Sequence, residues 1–434
     1  MRVLYGDQTQ KCVETMQFSG KRLGDYPEYV RALLLVKMAA ARANLLVNAL
    51  PQEIANSIQN ACQNAIDLFD AKQYPVDVCH GGGGIGINMN VNEVIATLAS
   101  ERSGIFINPI AHVNLSQSTA DVCHTALRLT IHKLLGELLA GLSACEETFR
   151  RKQNEFSGIS TIARTCMMDA MVMDLGDRFS GYVEVIARRS KALGRQQKSM
   201  LAVNLGGTVI GSGEGTALGY REVVIGVLKE LCGKGIVHVR NFYDAAQNMD
   251  ELVALSQELS NLAQVFIKIS QDLRFLASGP EAGIGELKLP KTQAGSSFFP
   301  GKVNPVLPEM MIQCGFLVIG LTRSVELAHL HGDTDLNVFE EFAGILVIDQ
   351  MKALTSAIGH FVENALAGIT VDNERCFVHV TSLVPTVTRF TNEFGYEAVS
   401  AVVERATQSS VSVKAALASA FPTNDHNLDV RVEE

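Results

Sequence analysis

A loop-forming segment in the second half of the chain carries the residues best suited to chemistry. It reads GSSFFPGKVNP over residues 295–305 and places two serines, a lysine and an asparagine before a helix start. Glycines and prolines between 279 and 290 predict a mobile loop, which can close over a substrate and exclude water. A serine oxygen brought there could take a proton from carbon, although a bare Gly-Ser-Ser is commonly a linker.

Other candidates for chemistry are weaker. Four glycines at 81–84 are not followed by the Gly-Lys-Ser/Thr of a phosphate loop. Two interpretations of this run remain equally open: an anion site at a helix start, or a tight turn. The ten histidines include no His-Glu-x-x-His, so the sequence predicts no metal site. The methionines at 167, 168, 171 and 173 are interpreted as core packing.

Composition limits the classes of protein to be considered. Of 434 residues, 47% are hydrophobic and 19% charged, which excludes a disordered chain. A net charge of -9 argues against binding to nucleic acid. Nine cysteines without a Cys-x-x-Cys pair predict free thiols in a reducing compartment. The start lacks an apolar signal segment, and the apolar run 29–50 is broken by charges, so we expect a cytoplasmic protein that does not enter a membrane.

Two apolar stripes indicate the elements that must position this loop. Both repeat at steps of three and four residues, which predicts long helices packed nearly parallel or antiparallel in a bundle. The stripes are Leu127, Ile131, Leu134, Leu135, Leu138, Leu142, Cys145 and Phe149, and Leu252, Leu255, Leu259, Leu262, Phe266, Ile269, Leu273 and Leu276. We therefore predict a mostly α fold with an N-terminal helical domain (1–116), a central helix-bundle domain carrying the loop (117–368) and a small C-terminal helical domain (369–434). Faces this apolar favour an oligomer.

The 295–305 segment resembles the GSSxMPxKxN signature of the aspartase/fumarase superfamily, with Phe299 at the methionine. Further segments are similar to the family's motifs in the same order along nearly the whole chain. They are YGDQTQ at 5–10, NMNVNEV at 88–94, HVNLSQST at 112–119, RTCMMDA at 164–170, GGTVIG at 206–211 and LNVF at 336–339. PVLPE at 305–309 is more similar to aspartases than to class II fumarases.

The resemblance implies a homotetramer whose central helices form a shared bundle, with each active site built from three subunits. It implies a lyase that eliminates a group from a succinyl-type dicarboxylate, with L-aspartate to fumarate and ammonia as the first expectation. A fumarate hydratase, a lyase for a substituted succinate and an inert helical tetramer remain alternatives. Neither an organic cofactor nor a metal is implied.

Roles follow from the resemblance position by position. Ser296 corresponds to the general base, a serine oxyanion that produces an aci-carboxylate. The positions that correspond to substrate-binding residues are Ser118, Thr119, Thr165, Cys166, Ser297, Lys302 and Asn304. Of these, Lys302, Asn304 and Thr165 would bind one carboxylate, and Ser118, Thr119 and Ser297 the other. Glu309 matches an acidic residue that family members pair with a histidine.

Three departures from the family pattern make the expected site less polar. Cys166 replaces a histidine or glutamine, so we expect Glu309 to lack its usual partner. Ala120 replaces an asparagine near the leaving group. Ile85 and Ile87 occupy polar positions of the first substrate segment.

Overall fold

The computed structural model describes residues 2–233, 235–293, 295–409 and 411–421. These residues form mainly helices. The helices are α1 (Asp7–Thr15), α2 (Pro27–Leu46), α3 (Gln52–Asp67), α4 (Ile85–Ser103), α5 (Thr119–Glu155), α6 (Leu175–Ser199), α7 (Tyr220–Cys232), α8 (Phe242–Gln247), α9 (Asp250–Leu276), α10 (Val306–Leu330), α11 (Glu340–Asn364), α12 (Asn373–Val380), α13 (Leu383–Phe394), α14 (Tyr396–Gln408) and α15 (Val413–Ala420).

The strands are short and form three two-stranded sheets. They are β1 (Ser160–Thr165), β2 (Met168–Asp174), β3 (Ala202–Val203), β4 (Val237–His238), β5 (Leu287–Lys288) and β6 (Thr370–Val371). β1 pairs with β2 and β5 with β6 in antiparallel fashion, whereas β3 and β4 are parallel. β4 lies in the stretch GIVHV at 235–239, a short apolar run that is typical of a strand.

The chain divides into two compact units, each made of three stretches. Unit 1 comprises Met1–Gly141, Arg189–Gln264 and Gln313–Ser356, and unit 2 comprises Leu142–Arg188, Val265–Ile312 and Ala357–Glu434. The mostly α class and the long central helices are confirmed. The division into three consecutive domains stays a prediction.

Both predicted stripes lie on long helices and are buried along their whole length. The first runs along α5, which has 37 residues, and the second along α9, which has 27. Their apolar residues meet other side chains at every turn, so burial of the stripe stabilises each helix more than its intrinsic propensity does. The helical interpretation of both segments is confirmed.

The β1–β2 hairpin was not predicted. At its tip, Cys166 and Met167 have φ angles of 52° and 64°, so both occupy the left-handed region that a tight hairpin turn requires. Met167 and Met168 are 76% and 69% exposed, and Met171 is exposed as well. The interpretation of these methionines as core packing was wrong, because the segment is a hairpin with a solvent-facing tip and not a helix.

Two helices are long and apolar enough to cross a membrane by length and composition alone. In the segment Glu340–Gly368, which contains α11, most of the apolar window is buried within the protein, as in the core helix of a globular protein. In α10 only a third of it is buried. The exposed apolar side chains of α10 are Phe316, Leu317, Ile319, Leu327 and Leu330.

Candidate active site

The 295–305 loop belongs to unit 2, and its two ends are held together by a backbone hydrogen bond, which forms a closed neck. The backbone N–H of Ser296 donates to the carbonyl oxygen of Lys302 at 2.8 Å, which brings the predicted base and the predicted cation to the same end of the loop. Gly295 permits this approach, since a Cβ there would lie 2.3 Å from the carbonyl oxygen of Lys302. α10 begins directly after the loop, at Val306.

Two backbone N–H groups donate hydrogen bonds to the hydroxyl of Ser296. Its Oγ accepts hydrogen bonds from the N–H groups of Phe298 and Phe299, each at 3.1 Å. Such donors stabilise an oxygen that carries negative charge more than a neutral hydroxyl. The Lys302 ammonium lies 5.8 Å from the centre of the Phe299 ring. The loop thus supplies N–H donors of the kind that a serine base needs.

The remaining predicted residues of the loop are open to solvent. Ser297, Lys302 and Asn304 are exposed, and Ser296 is half-buried. Thr165 and Cys166, at the tip of the β1–β2 hairpin in the same unit, are also exposed. Their side chains are free to meet a ligand.

Glu309 has a partner that the sequence did not suggest. Its carboxylate lies 3.2 Å from a guanidinium nitrogen of Arg274, near the end of α9. Cys166 was expected to leave Glu309 without its usual histidine partner, and a cation from a second helix lies beside the carboxylate instead. Both side chains are partly exposed, so solvent weakens the pair.

Ser118 and Thr119 lie in unit 1, in a buried polar network at the start of α5. The amide nitrogen of Asn88 donates to the Thr119 hydroxyl at 3.0 Å and to Oδ1 of Asn114 at 3.1 Å. The same Oδ1 accepts from Asn92 at 3.1 Å and from the ammonium of Lys37 at 2.8 Å. The network orients Thr119 before any ligand arrives.

Lys37 is fully buried in α2. Burial lowers the pKa of its ammonium to about 7, because the charged form loses hydration that one amide oxygen does not replace. Sequence reasoning missed this residue. Its position within the apolar run ALLLVKMAA could have identified it, because a lysine there must either be buried or interrupt the apolar face of the helix.

The carboxylate of Asp121 binds backbone N–H groups of two segments, one of which contains Ser118 and Thr119. Its carboxylate accepts from the N–H groups of Ser118 at 2.9 Å, Gly206 at 2.9 Å and Thr208 at 3.1 Å. It therefore joins the 112–119 and 206–211 segments. Sequence reasoning did not single out this aspartate.

Glu93 joins two further segments. Its carboxylate accepts from the backbone N–H groups of Gly6 at 2.9 Å, Gln8 at 3.0 Å and Thr9 at 3.0 Å, and also from the Thr9 hydroxyl. The N-terminal 5–10 element is thereby held on α4. Segments that are distant in sequence are thus connected through single carboxylates within unit 1.

The positions 85, 87 and 120, which are polar in the family pattern, carry apolar side chains here. Ile85 is the first residue of α4, directly after the glycine run, and is 56% exposed. Ala120 donates its backbone N–H to the Ser118 hydroxyl at 3.3 Å but has no polar side chain. Ile87 is buried.

The predicted site residues fall into two groups. Unit 1 holds Ser118 and Thr119, and unit 2 holds Thr165, Cys166, Ser296, Ser297, Lys302, Asn304 and Glu309. Among the residues that the structure describes, no cluster of three or more His, Cys, Asp or Glu side chains is arranged to hold a metal ion.

Known proteins are similar to this chain over most of its length. The sequence pattern of a family described as Lyase matches residues 2–320. The aspartate ammonia-lyase of Escherichia coli (strain K12) is 36% identical over 391 residues, which cover 88% of this chain and 82% of that protein. This chain belongs to the aspartase/fumarase superfamily. The aspartate ammonia-lyase of Pseudomonas aeruginosa is 37% identical over 418 residues, covering 94% of this chain and 88% of that protein.

Solved structures of the aspartase/fumarase superfamily have the same fold. The fumarate lyase:delta crystallin from Brucella melitensis, bound to cobalt, has a TM-score of 0.91 and 34% identity, covering 97% of this chain and 95% of that one. The class II fumarase from Schistosoma mansoni has a TM-score of 0.90 and 25% identity, covering 98% and 97%. Because the named relatives that cover most of the chain are ammonia-lyases, the protein is an enzyme, a carbon–nitrogen lyase.

Proposed function

We propose that the enzyme is an aspartate ammonia-lyase that converts L-aspartate reversibly to fumarate and ammonia. Its relatives of that name cover most of the chain. The single observation that carries the proposal is the pair of backbone N–H donors on the Ser296 hydroxyl, at the neck of a loop that also carries Lys302. An inert scaffold would need neither feature.

The reaction must remove a weakly acidic proton from the carbon next to a carboxylate. In the proposed mechanism the Ser296 oxyanion takes this proton, and the electron pair of the C–H bond moves into the carboxylate to form a doubly charged aci-acid. That pair then forms the carbon–carbon double bond as the carbon–nitrogen bond breaks, and the protonated amino group leaves as neutral ammonia with the electron pair of the carbon–nitrogen bond. Preorganised donors and cations that stabilise the intermediate lower the barrier.

The two carboxylates of the substrate have separate binding groups in this proposal. Lys302, Asn304 and Thr165 bind one of them with a cation, an amide and a hydroxyl. Ser118, Thr119 and Ser297 bind the one that becomes the aci-acid. The buried network behind Thr119 supports this assignment, because a hydroxyl held in place loses little freedom when charge develops beside it.

A second candidate is elimination from a substituted succinate. Ile85 is exposed and apolar, and Ala120 and Cys166 offer weaker hydrogen bonding than the residues they replace. A leaving group or side arm with apolar surface would tolerate these changes better than the amine of aspartate.

The proposed assembly is a homotetramer with active sites shared between subunits, located in the cytoplasm. The apolar surface of α10 supports it, because a face of this size in a helix is stabilised by packing against another copy. The proposed partners are a small dicarboxylate and further copies of the same chain, with no nucleic acid and no membrane.

The test is a direct assay. The purified enzyme is incubated with L-aspartate, with L-malate, or with fumarate plus ammonia, and fumarate absorbance is followed. We expect turnover of aspartate that is abolished in Ser296→Ala and retained in Thr292→Ala, a control at an exposed hydroxyl in the segment just before the loop. Turnover of malate alone would replace the proposal with a hydratase. Inactivity towards all three would leave a substituted succinate or an inert tetramer, and a screen of substituted succinates would separate these.

A further inference from the structure

A buried carboxylate lies between the predicted site elements of unit 2. Glu286 has no exposed side-chain surface. Arg164 donates to both of its oxygens, at 2.8 and 3.1 Å, and Nδ1 of His379 lies 2.7 Å from one of them. Burial by itself would raise the pKa of Glu286, but these hydrogen bonds outweigh it and hold the pKa below its ordinary value. The carboxylate is therefore ionised, and it is paired with the Arg164 guanidinium and with a ring nitrogen of His379.

Glu286 and its two partners belong to three different parts of unit 2. Arg164 directly precedes Thr165 and Cys166 at the tip of the β1–β2 hairpin. Glu286 itself directly precedes β5, on the chain that leads into the Ser296 loop. His379 lies on α12, which packs against β1. One ionic cluster thus contacts the hairpin tip, the approach to the loop and a C-terminal helix.

The approach to the loop is held firmly around Glu286. Its carbonyl oxygen accepts from the N–H of Asp372 at 2.9 Å, and β5 pairs with β6 directly afterwards. Arg375, also on α12, donates to the carbonyl oxygens of Gly283 at 2.6 Å and Ile284 at 3.0 Å. The Lys288 ammonium lies 2.7 Å from the Asp372 carboxylate. The segment 283–288 is therefore fixed to the C-terminal part of unit 2.

We propose that Glu286 and His379 are positioning residues for the elimination: through Arg164 they hold Thr165 and the Cys166–Met167 turn in one place relative to the stem of the Ser296 loop. Neither residue contacts the substrate. The turn needs such an anchor, because two of its residues have left-handed backbone angles that cost energy in isolation. This inference rests on the proposed function for the roles of Thr165 and Ser296.

The test replaces His379, which lies at the edge of the cluster. His379→Leu removes the donor to Glu286, whereas His379→Asn keeps an N–H group near the position of Nδ1. We expect kcat for aspartate to fall about 10- to 100-fold in His379→Leu, since small displacements of binding groups cost rates of this order, and to recover largely in His379→Asn. His360→Leu, at an exposed histidine of α11, is the matched control.

Hydrogen exchange measured by mass spectrometry provides a readout that does not depend on activity. Peptides spanning 160–174 and 281–288 should exchange faster in His379→Leu than in the wild type or His360→Leu, while the melting temperature changes little. If melting shows that His379→Leu does not fold, His379→Gln takes its place. Unchanged exchange, or unchanged kcat in a folded variant, would overturn the inference. A wild-type enzyme that does not release fumarate from aspartate would refute the proposed function, and the exchange comparison would still decide whether the anchor exists.

Discussion

The two groups of predicted substrate-binding residues differ in how they are held. In unit 1, Thr119 is fixed by Asn88 within a buried network that ends at Lys37. In unit 2, the Ser296 loop has a closed neck but presents Ser297, Lys302 and Asn304 to solvent. In the proposed mechanism, one carboxylate site is therefore formed before binding, whereas the loop residues acquire their surroundings only on closure. Substitutions should therefore have different consequences in the two regions.

The largest effect is expected in the loop. Lys302→Ala should lower kcat/KM for aspartate about a thousandfold, because a cation that stabilises the dianion is lost. Its exposed side chain supports no core, so the thermal melt should shift little. Lys291→Ala, an exposed lysine of the same connection, is the control. Equal losses of activity and of folding would show that Lys302 is structural and would remove the difference between the two regions.

The opposite behaviour is expected at Lys37. The lysine has an ordinary pKa near 10.5 when unfolded and about 7 when folded, so the unfolded state binds more protons between these values. Its contribution to stability is therefore present above pH 10.5 and is lost as the pH falls through about 7. Replacing it removes a penalty that is greatest at low pH.

Lys37→Met should accordingly raise the free energy of unfolding by on the order of 2–3 kcal/mol more at pH 6 than at pH 9, compared with wild type. The measurement is denaturant unfolding at both pH values and one protein concentration, with the exposed lysine variant Lys72→Met as control. A gain that does not depend on pH would mean that Lys37 is not buried as a titrating ammonium.

The smallest effect is expected at the Arg274–Glu309 pair. Arg274→Gln should change the free energy of unfolding by less than about 1 kcal/mol, because exposed ion pairs are weak. Denaturant unfolding checks the stability, and the aspartate assay shows whether the pair matters at the start of α10. A loss of turnover as large as that of Lys302→Ala would make Arg274 part of the catalytic loop's machinery.

The helical core was readable from the sequence because its information is local. The apolar steps in α5 and α9 repeat every three or four residues, and each of those side chains is buried. The loop could also be predicted from the sequence, because glycine, proline and serine each affect the backbone conformation at their own position. The motifs also identified the family, which the relatives confirm.

The interactions that hold the candidate site were not readable. Arg164 and Glu286 are 122 positions apart, and Arg164 and His379 are 215 apart, so no periodicity connects them. The hairpin was missed because its exposed methionines suggest core packing when composition alone is considered. The partner of Glu309 was missed for a related reason: Arg274 lies near the end of α9, and nothing in the local sequence indicates which helix it will meet.

The close approach at Gly295 limits how this enzyme can diversify. Because Ser296 and Lys302 are joined through the backbone at the neck, inserting or deleting a residue between them would disturb this hydrogen bond and shift the proposed base relative to the proposed cation. Evolution is thus left with side-chain exchange inside a loop of constant length, at positions such as Phe298 and Phe299, as its means of retuning substrate preference.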